Sequence, residues 1–432
     1  MKVLYVTKEF PYGLGEENVL SEIQDHLEYG WEIRIAPLSK LQRQRTDADN
    51  LFPLTYGEPL LSAKVLDGAL VTFLRRPVRS LGALREIFRS RNLNLLVRNL
   101  AAYPKGLWLA GQVIKERFDH IHGHWLAVPA TYATVAAYVS DTPFSITGHR
   151  YDIAQNNLLN WKARDADFIR CIDDMGCGEV AAVLKKDRRR PLVLHVGVKA
   201  APETAPVRPG VLSTLRAAVG CRFVEKKGLN YLIDGVAAAK RRGVRVELDL
   251  FRDGPLEGAL REQAQTLGIA DQCRFRGAVE HPELLGGLRR GDFDCAALTS
   301  VIAADGDKEG VPAFLMEAAS AGLPLVTTPN GGILELAGDG CGIICPERDS
   351  EAIGEAFVLL ATDETERRRL ATAARERMLA EFEIKTCNRR LRALITGEER
   401  PTPPSWLVAD APGPFADSRI TRRPAPPKAP AN

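Results

Sequence analysis

The chain has 432 residues, more than one hydrophobic core of roughly 100–200 residues organises. Hydrophobic content of 45% and charged content of 26% are those of a globular protein rather than a disordered or fibrous one. A net charge of +3 excludes a globally basic nucleic-acid binder, and no run of about 18 apolar residues is present to span a bilayer.

The N-terminal stretch MKVLYVTKEF lacks the apolar region and cleavage site of a signal peptide. The eight Cys are scattered, with Cys341 and Cys345 the closest pair, which predicts reduced, buried thiols in a cytoplasmic protein. Residues 2–7 predict a buried parallel strand. PYGLGEE follows at residues 11–17, where Gly13 and Gly15 allow close backbone approach to a ligand. A dinucleotide fingerprint would place Gly where Asn18 stands, and an acid at the end of the next strand, which reads RIAPL. NAD binding is therefore disfavoured. Val19, Ile23 and Leu27 at helical spacing, with Gly30 as a stop, predict a helix, and WEIRIAPL the second strand.

Residues 75–117 carry ten Lys/Arg and two Glu among Leu, Phe and Trp, a pattern that suits an anionic membrane surface or a solvated helix packed on the sheet. FDHIHGH, TPFSIT and DFIRCI predict three further strands between helical stretches. His120, His122 and His124 alternate onto one strand face, but no nearby acid or Cys completes a metal set. His149 follows a strand and is expected at the mouth of a cleft. Residues 201–212 hold three Pro and predict a connector. The rhythm then restarts with CRFVE as a strand ending near Arg222, a helix from Gly228, and strands VRVELDLF, CRFRG, FDCAAL and LPLVTT.

This alternation predicts two open α/β sheets, in domains 1–200 and 213–363 with a cleft between them. Residues 364–397 predict charged helices packing back across both domains. The Pro-rich segment 398–432 predicts a disordered tail. Ligands of such sheets bind outside the carboxyl ends of the strands.

One such loop reads KEGVPAFLMEA, residues 308–318. Pro312 suits a first helical position, so the helix is expected to begin near Val311. Its open N–H groups and dipole attract phosphate. Glu309 lies before the first turn and Glu317 inside the helix. Acids on either side of an anion site suit a ligand with a phosphate flanked by two polyols, as in a nucleotide sugar. Arg222 and Lys227, beside the next helix start, supply charge for a diphosphate leaving group. The pairs Asp292/Asp294 and Asp305/Asp307 read as strand-edge and loop residues, and no metal is expected.

FPYGLGEENVLSEI, TGHRYDIAQNNLL, RFVEKKGLNYLIDG and DGDKEGVPAFLMEAASAGLPLVTTPNGGILEL resemble the motifs of family-4 glycosyltransferases of the GT-B fold, in particular bacterial exopolysaccharide enzymes of the colanic-acid and amylovoran type. The resemblance covers most of residues 1–395. It implies two Rossmann-like domains and retaining transfer from a nucleoside-diphosphate sugar without a cofactor or metal. It implies that Glu317 holds the ribose and that Glu309, in the stretch Gly310, Val311, Pro312 and Ala313, holds the donor sugar. Arg222 and Lys227 would grip the diphosphate, Gly13 and Gly15 would close over it, and His149 would sit by the sugar. The chain departs from the family pattern at Lys199, Cys221 and Arg252, where the family usually has Gly at the last. The implied acceptor is a glycan or a polyprenyl-diphosphate-linked one, with the protein cytoplasmic or peripheral to the inner membrane and no nucleic-acid partner. A nucleotide-sugar epimerase or an inactive partner of the same fold are the alternative readings.

Overall fold

The computed structural model describes residues 1–13, 16–39, 47–153, 155–185, 187–304, 306 and 308–408. The N-terminal half opens with β1 (Lys2–Thr7), α1 (Glu17–Glu28) and β2 (Glu32–Pro37). Three helices follow, α2 (Ala63–Arg75), α3 (Pro77–Ile87) and α4 (Leu93–Glu116). Then come β3 (His120–His124), α5 (Val128–Ser140), β4 (Phe144–Gly148), α6 (Arg150–Ile153), α7 (Leu159–Asp165), β5 (Phe168–Cys171), α8 (Asp174–Val183) and β6 (Leu192–Val193). The C-terminal half begins with β7 (Thr214–Gly220), α9 (Leu229–Arg241), β8 (Arg245–Phe251), α10 (Glu257–Thr266), β9 (Cys273–Gly277) and α11 (His281–Arg290). It continues with β10 (Cys295–Leu298), α12 (Ala313–Ser320), β11 (Leu325–Thr327), α13 (Ile333–Ala337), β12 (Ile343–Ile344) and α14 (Ser350–Thr362). The chain closes with α15 (Glu364–Arg377), a π-helical turn at Met378–Phe382, α16 (Ile384–Thr396) and α17 (Ser405–Val408).

Each half is one parallel six-stranded sheet. The first has the order β2-β1-β3-β4-β5-β6 and the second β12-β11-β10-β7-β8-β9. The strands are apolar on both faces, as β1 (KVLYVT) and β10 (CAAL) illustrate, because helices cover both sides. The order reverses between β1 and β3 in the first sheet and between β7 and β10 in the second. Crevices open at such reversals, at the carboxyl ends of the strands. The loops after β1, β3, β7 and β10 are therefore where a ligand is expected.

Two expected boundaries move. CRFVE is not a strand: β7 ends at Gly220, and residues 221–224 are the loop beyond it. Cys221 and Phe223 are buried while Arg222 is exposed, so this loop mimics strand alternation without belonging to the sheet. The helix after Glu309 begins at Ala313, with Pro312 as its cap in an extended conformation rather than as its first helical residue. In the segment 398–432, residues 398–408 are described. There α17 lets Leu407 pack on the N-terminal core, and 409–432 lie outside the described residues.

The connector 201–212 is tied to the second half. Ala205 N donates to Ala321 O at 2.7 Å, and Arg208 pairs with Asp294 at the start of β10, on the side away from the strand-end loops. At the crossing between halves, Val198 exchanges backbone bonds with Phe382 and Ile384, and a Cβ on Gly197 would meet the Ile384 backbone at 2.7 Å. The π-helical turn thus sits where the C-terminal segment passes the connector. Beyond it, α16 returns to the first half and packs Leu391, Leu394 and Ile395 into the cluster formed by Val3, Tyr5 and Ile23. At roughly 1.5–3 kcal/mol per buried aliphatic side chain, that return leg anchors the two halves to each other. All eight Cys are buried and unpaired. Among the described residues no helix is long and apolar enough to cross a membrane.

Candidate functional site

The reversal of the C-terminal sheet brings two loops together, 221–228 after β7 and 299–312 after β10. Gly228 joins them. It lies at φ +60, and a Cβ there would fall 2.0 Å from Thr299 O, so only glycine lets the start of α9 sit against the end of β10. Thr299 Oγ1 donates to Gly228 O at 3.0 Å, and Val301 N to Lys226 O at 2.8 Å. This stitching carries the Lys227 ammonium to Glu309, where Nζ donates to Oε2 at 2.5 Å with both side chains mostly buried. Ser300 Oγ lies 3.4 Å from the same oxygen.

The Glu309 loop is held from behind. Its N–H donates to Asn330 Oδ1 at 2.8 Å, and Asn330 in turn donates to Glu347 at 2.7 Å. Gly332 N donates to Glu309 O, and Gly331 (φ +59) has no room for a side chain, since a Cβ would lie 1.8 Å from that oxygen. The run Gly310, Val311, Pro312 and Ala313 then leads into α12, which has no side-chain cap. A carboxylate, an ammonium and an uncapped helix start thus occupy one lip of the cleft. A carboxylate offers about four acceptor positions and an ammonium three donors, so their mutual contact leaves capacity for a ligand.

The remaining expected residues divide. Arg222 stands exposed on the same loop. Glu317 lies in α12 but takes its own partner: His281 Nε2 is 2.8 Å from Oε1. Burial raises the Glu317 carboxyl above its ordinary range, against the opposing pull of His281. Glu317 is thus engaged by His281 and Glu309 by Lys227. Arg252, singled out in the sequence as a departure from the family pattern, has its backbone at φ +80, in the left-handed region that favours glycine. Its cation, like that of Lys227, acts on the Cys221 thiol, which burial pushes up to about 12. A third positive charge therefore borders the lip.

In the first half, Glu16 organises the loop after β1. It accepts from the N–H groups of Lys8, Glu9 and Phe10 at 3.1, 2.8 and 2.6 Å and from the Trp125 indole at 2.7 Å. The amides of Tyr12 and Gly13 go to Glu9 O. The amides of Lys8, Glu9 and Phe10 are thus spent on a protein carboxylate, and those of Tyr12 and Gly13 on a backbone carbonyl. Gly13 keeps the loop tight, because a Cβ there would meet the Glu9 carboxylate at 2.9 Å. Gly15 lies outside the described residues, as do Asp305 and Asp307.

His149 belongs to this N-terminal group. Its ring packs on Trp125 at 4.4 Å between centroids, and its N–H donates to Asp152 Oδ1 at 2.8 Å. Burial, then His124 and Arg170, push His149 down to about 3, so it is a neutral imidazole at neutral pH. Asp152 also accepts from Leu126 N and is pushed up to about 7 by burial. It fixes the ends of β3 and β4 relative to each other.

The histidines of β3 gain an acid that the sequence did not suggest. Glu22 of α1 accepts from or bonds His124 at 3.0 Å and pairs with Arg170 at 2.6 Å. Glu22, His122 and His124 lie close enough to share an ion. His122 is engaged by Ser145 and Thr147, and the Arg170 guanidinium already supplies the local cation. Burial raises the Glu22 carboxyl, but Arg170 and His124 hold it well below the ordinary range. The cluster is an internal ionic network of the core.

A second unforeseen acid bridges the halves. Glu335 of α13 accepts from Asp174 N, at the start of α8, at 3.0 and 3.1 Å, and lies 3.6 Å from His195. Burial first, then Asp174 and Asp173, push it up to about 9.

Residues 218–377 match the family described as glycosyl transferases group 1. The chain is 29% identical over 423 residues to WcaL of Escherichia coli K12, a proposed colanic acid biosynthesis glycosyltransferase, covering 91% of this chain and 99% of that protein. It is 29% identical over 204 residues to the amylovoran biosynthesis glycosyltransferase AmsK of Erwinia amylovora, covering 47% of this chain and 50% of AmsK. Among solved structures, Anabaena HepE in complex with UDP superposes with a TM-score of 0.63 at 16% identity, covering 92% of this chain and all of HepE. That similarity establishes the fold, two Rossmann-like domains in the GT-B arrangement.

Proposed function

We propose, on the premise that residues 218–377 are a glycosyl transferases group 1 domain, that the chain moves a sugar from a nucleoside-diphosphate sugar to a glycan or lipid-linked acceptor in exopolysaccharide synthesis. The observation that carries this reading is the Lys227–Glu309 pair beside the uncapped start of α12, at the reversal of the second sheet. The relatives WcaL and AmsK support the pathway class, and the HepE complex with UDP supports the donor class.

In this reading the diphosphate lies against the α12 amides with Lys227, Arg222 and Arg252 around it, Glu309 accepts from donor-sugar hydroxyls, and Glu317 from the ribose. Neutral His149 supplies a hydrogen bond from the opposite lip. The C1–O bond to the diphosphate breaks while the acceptor oxygen bonds to C1 on the same face. The acceptor proton passes to the departing phosphate oxygen, and the fixed cations stabilise the charge that develops there. Such front-side displacement retains anomeric configuration and needs no protein nucleophile. Charge is balanced by side chains, so no metal takes part. Cleft closure excludes water that would hydrolyse the donor.

The protein works in the cytoplasm against the inner membrane. Support comes from α2 and α3, where Leu70, Leu74, Val78 and Leu81 are more than half exposed beside exposed Arg75, Arg76 and Arg85. The test is a transfer assay with UDP-, GDP- and ADP-sugars and extracted lipid-linked acceptor, read by NMR of the new anomeric centre. An axial product from an axial donor is expected. An inverted product, or donor turnover to an isomer without acceptor, contradicts the proposal.

A further inference from the structure

A cavity of about 510 Å³ opens on the first half, far along the chain from the nucleotide-side loops, where the α3–α4 turn meets α7 and the segment after α8. Five cations line it, Arg89, Arg91, Arg164, Lys185 and Arg188, against one acid, Glu86. Glu86 is already committed to Arg89 at 2.8 Å and Arg164 at 3.0 Å. Arg188 pairs with Asp187, yet its Nε is buried without a hydrogen-bond partner, and Arg91 and Lys185 have no ion pair among the described residues. Trp161 forms an apolar wall. The donor mechanism uses none of these groups.

Exposed apolar side chains next to these cations in the chain are the second observation. Phe88 precedes Arg89 and is 61% exposed, and Leu93 and Val97, just beyond Arg91, are 74% and 57% exposed. A free anion site has no use for protruding apolar side chains. A concentration of cations with exposed apolar side chains beside them in the chain matches the boundary where lipid phosphates meet acyl chains. We infer that this pocket seats the phosphate of an anionic phospholipid headgroup while Phe88, Leu93 and Val97 enter the acyl region. The inference rests on the membrane reading above and gives it a specific ligand class. Guanidinium forks suit phosphate oxygens, and the unspent donors of Arg91, Lys185 and Arg188 supply the charge-assisted bonds.

The test is sedimentation of the full chain with vesicles of phosphatidylcholine alone or mixed with phosphatidylglycerol. Wild type should bind the mixed vesicles, weakly or not at all the neutral ones, and less as salt rises. Arg91→Glu with Lys185→Glu should lower binding to mixed vesicles roughly tenfold or more, since each basic residue near an anionic surface is worth roughly fivefold. Melting temperature should be unchanged, since neither side chain has an ion pair among the described residues. Inorganic phosphate should release the protein better than chloride at equal ionic strength. If wild type binds and the double variant binds equally, or if phosphate and chloride act alike, the pocket assignment is overturned while the membrane reading stands. If wild type binds no vesicle, the membrane reading itself fails. Val78→Asp with Leu81→Asp, outside the pocket, should weaken binding to mixed vesicles through the apolar face. Retention of full binding there with loss in the pocket variant would still support the pocket.

Discussion

Removing Lys227 separates its structural role from its catalytic one. The ammonium lies 2.5 Å from Glu309 Oε2, with side-chain exposures of 14% and 11%. Lys227→Ala leaves a mostly buried carboxylate without its countercharge, and breaking such a pair costs about 3–5 kcal/mol when burial is complete. Allowing for the residual exposure and for Ser300 nearby, we expect a loss of roughly 2–3 kcal/mol in chemical denaturation. Glu309→Gln removes the charge from the other side and keeps the shape. The double variant should recover most of the stability lost by Lys227→Ala, because neither partner is then buried alone. Activity should follow a different rule. Losing one preorganised group that stabilises leaving-group charge costs about 10²–10³ in rate, so both single variants and the double should be nearly inactive. Strictly additive stability losses would refute the coupling, and a transfer rate within about tenfold of wild type in Lys227→Ala would refute the site.

Four further outcomes follow from the same geometry. Gly228→Ala should destabilise by about 3 kcal/mol or more and abolish transfer, since its Cβ would strike Thr299 O at φ +60; calorimetry and the transfer assay check both. His149→Ala should lower the rate roughly a hundredfold, and the wild-type pH–rate profile should show no histidine titration between about pH 5 and 7, because burial holds that ring near 3. Glu335 has a folded value raised to about 9, so its contribution to stability is complete below the ordinary Glu range and is lost as pH rises toward about 9. Wild-type melting temperature should therefore fall over that window more steeply than that of Glu335→Gln, which keeps an acceptor for Asp174 N. Chelator should leave transfer unaffected, and strong inhibition would restore a metal role.

The strand–helix rhythm was legible because both sheets are buried on two faces and their strands read as apolar runs. Glu309 and Lys227 were legible because each sits in a loop fixed by a nearby helix start. What misled was alternation: CRFVE buries Cys221 and Phe223 as a strand would, although the chain has already left the sheet at Gly220. What was invisible was distance along the chain. Glu22 reaches His124 across 102 residues, and Glu335 reaches Asp174 across 161. No local pattern announces such pairs. Arg252 shows a third case: the sequence marks it as a departure from the family pattern, and only the fold shows its left-handed backbone and sets its charge near Cys221.

A crystal structure of the chain soaked with a nucleoside-diphosphate sugar tests the grip most directly. Phosphate oxygens should lie within hydrogen-bond distance of Lys227 Nζ and the first amides of α12, with sugar hydroxyls on the Glu309 carboxylate. A diphosphate seated on the loop after β1, or a ligand touching neither Lys227 nor Glu309, would contradict the account.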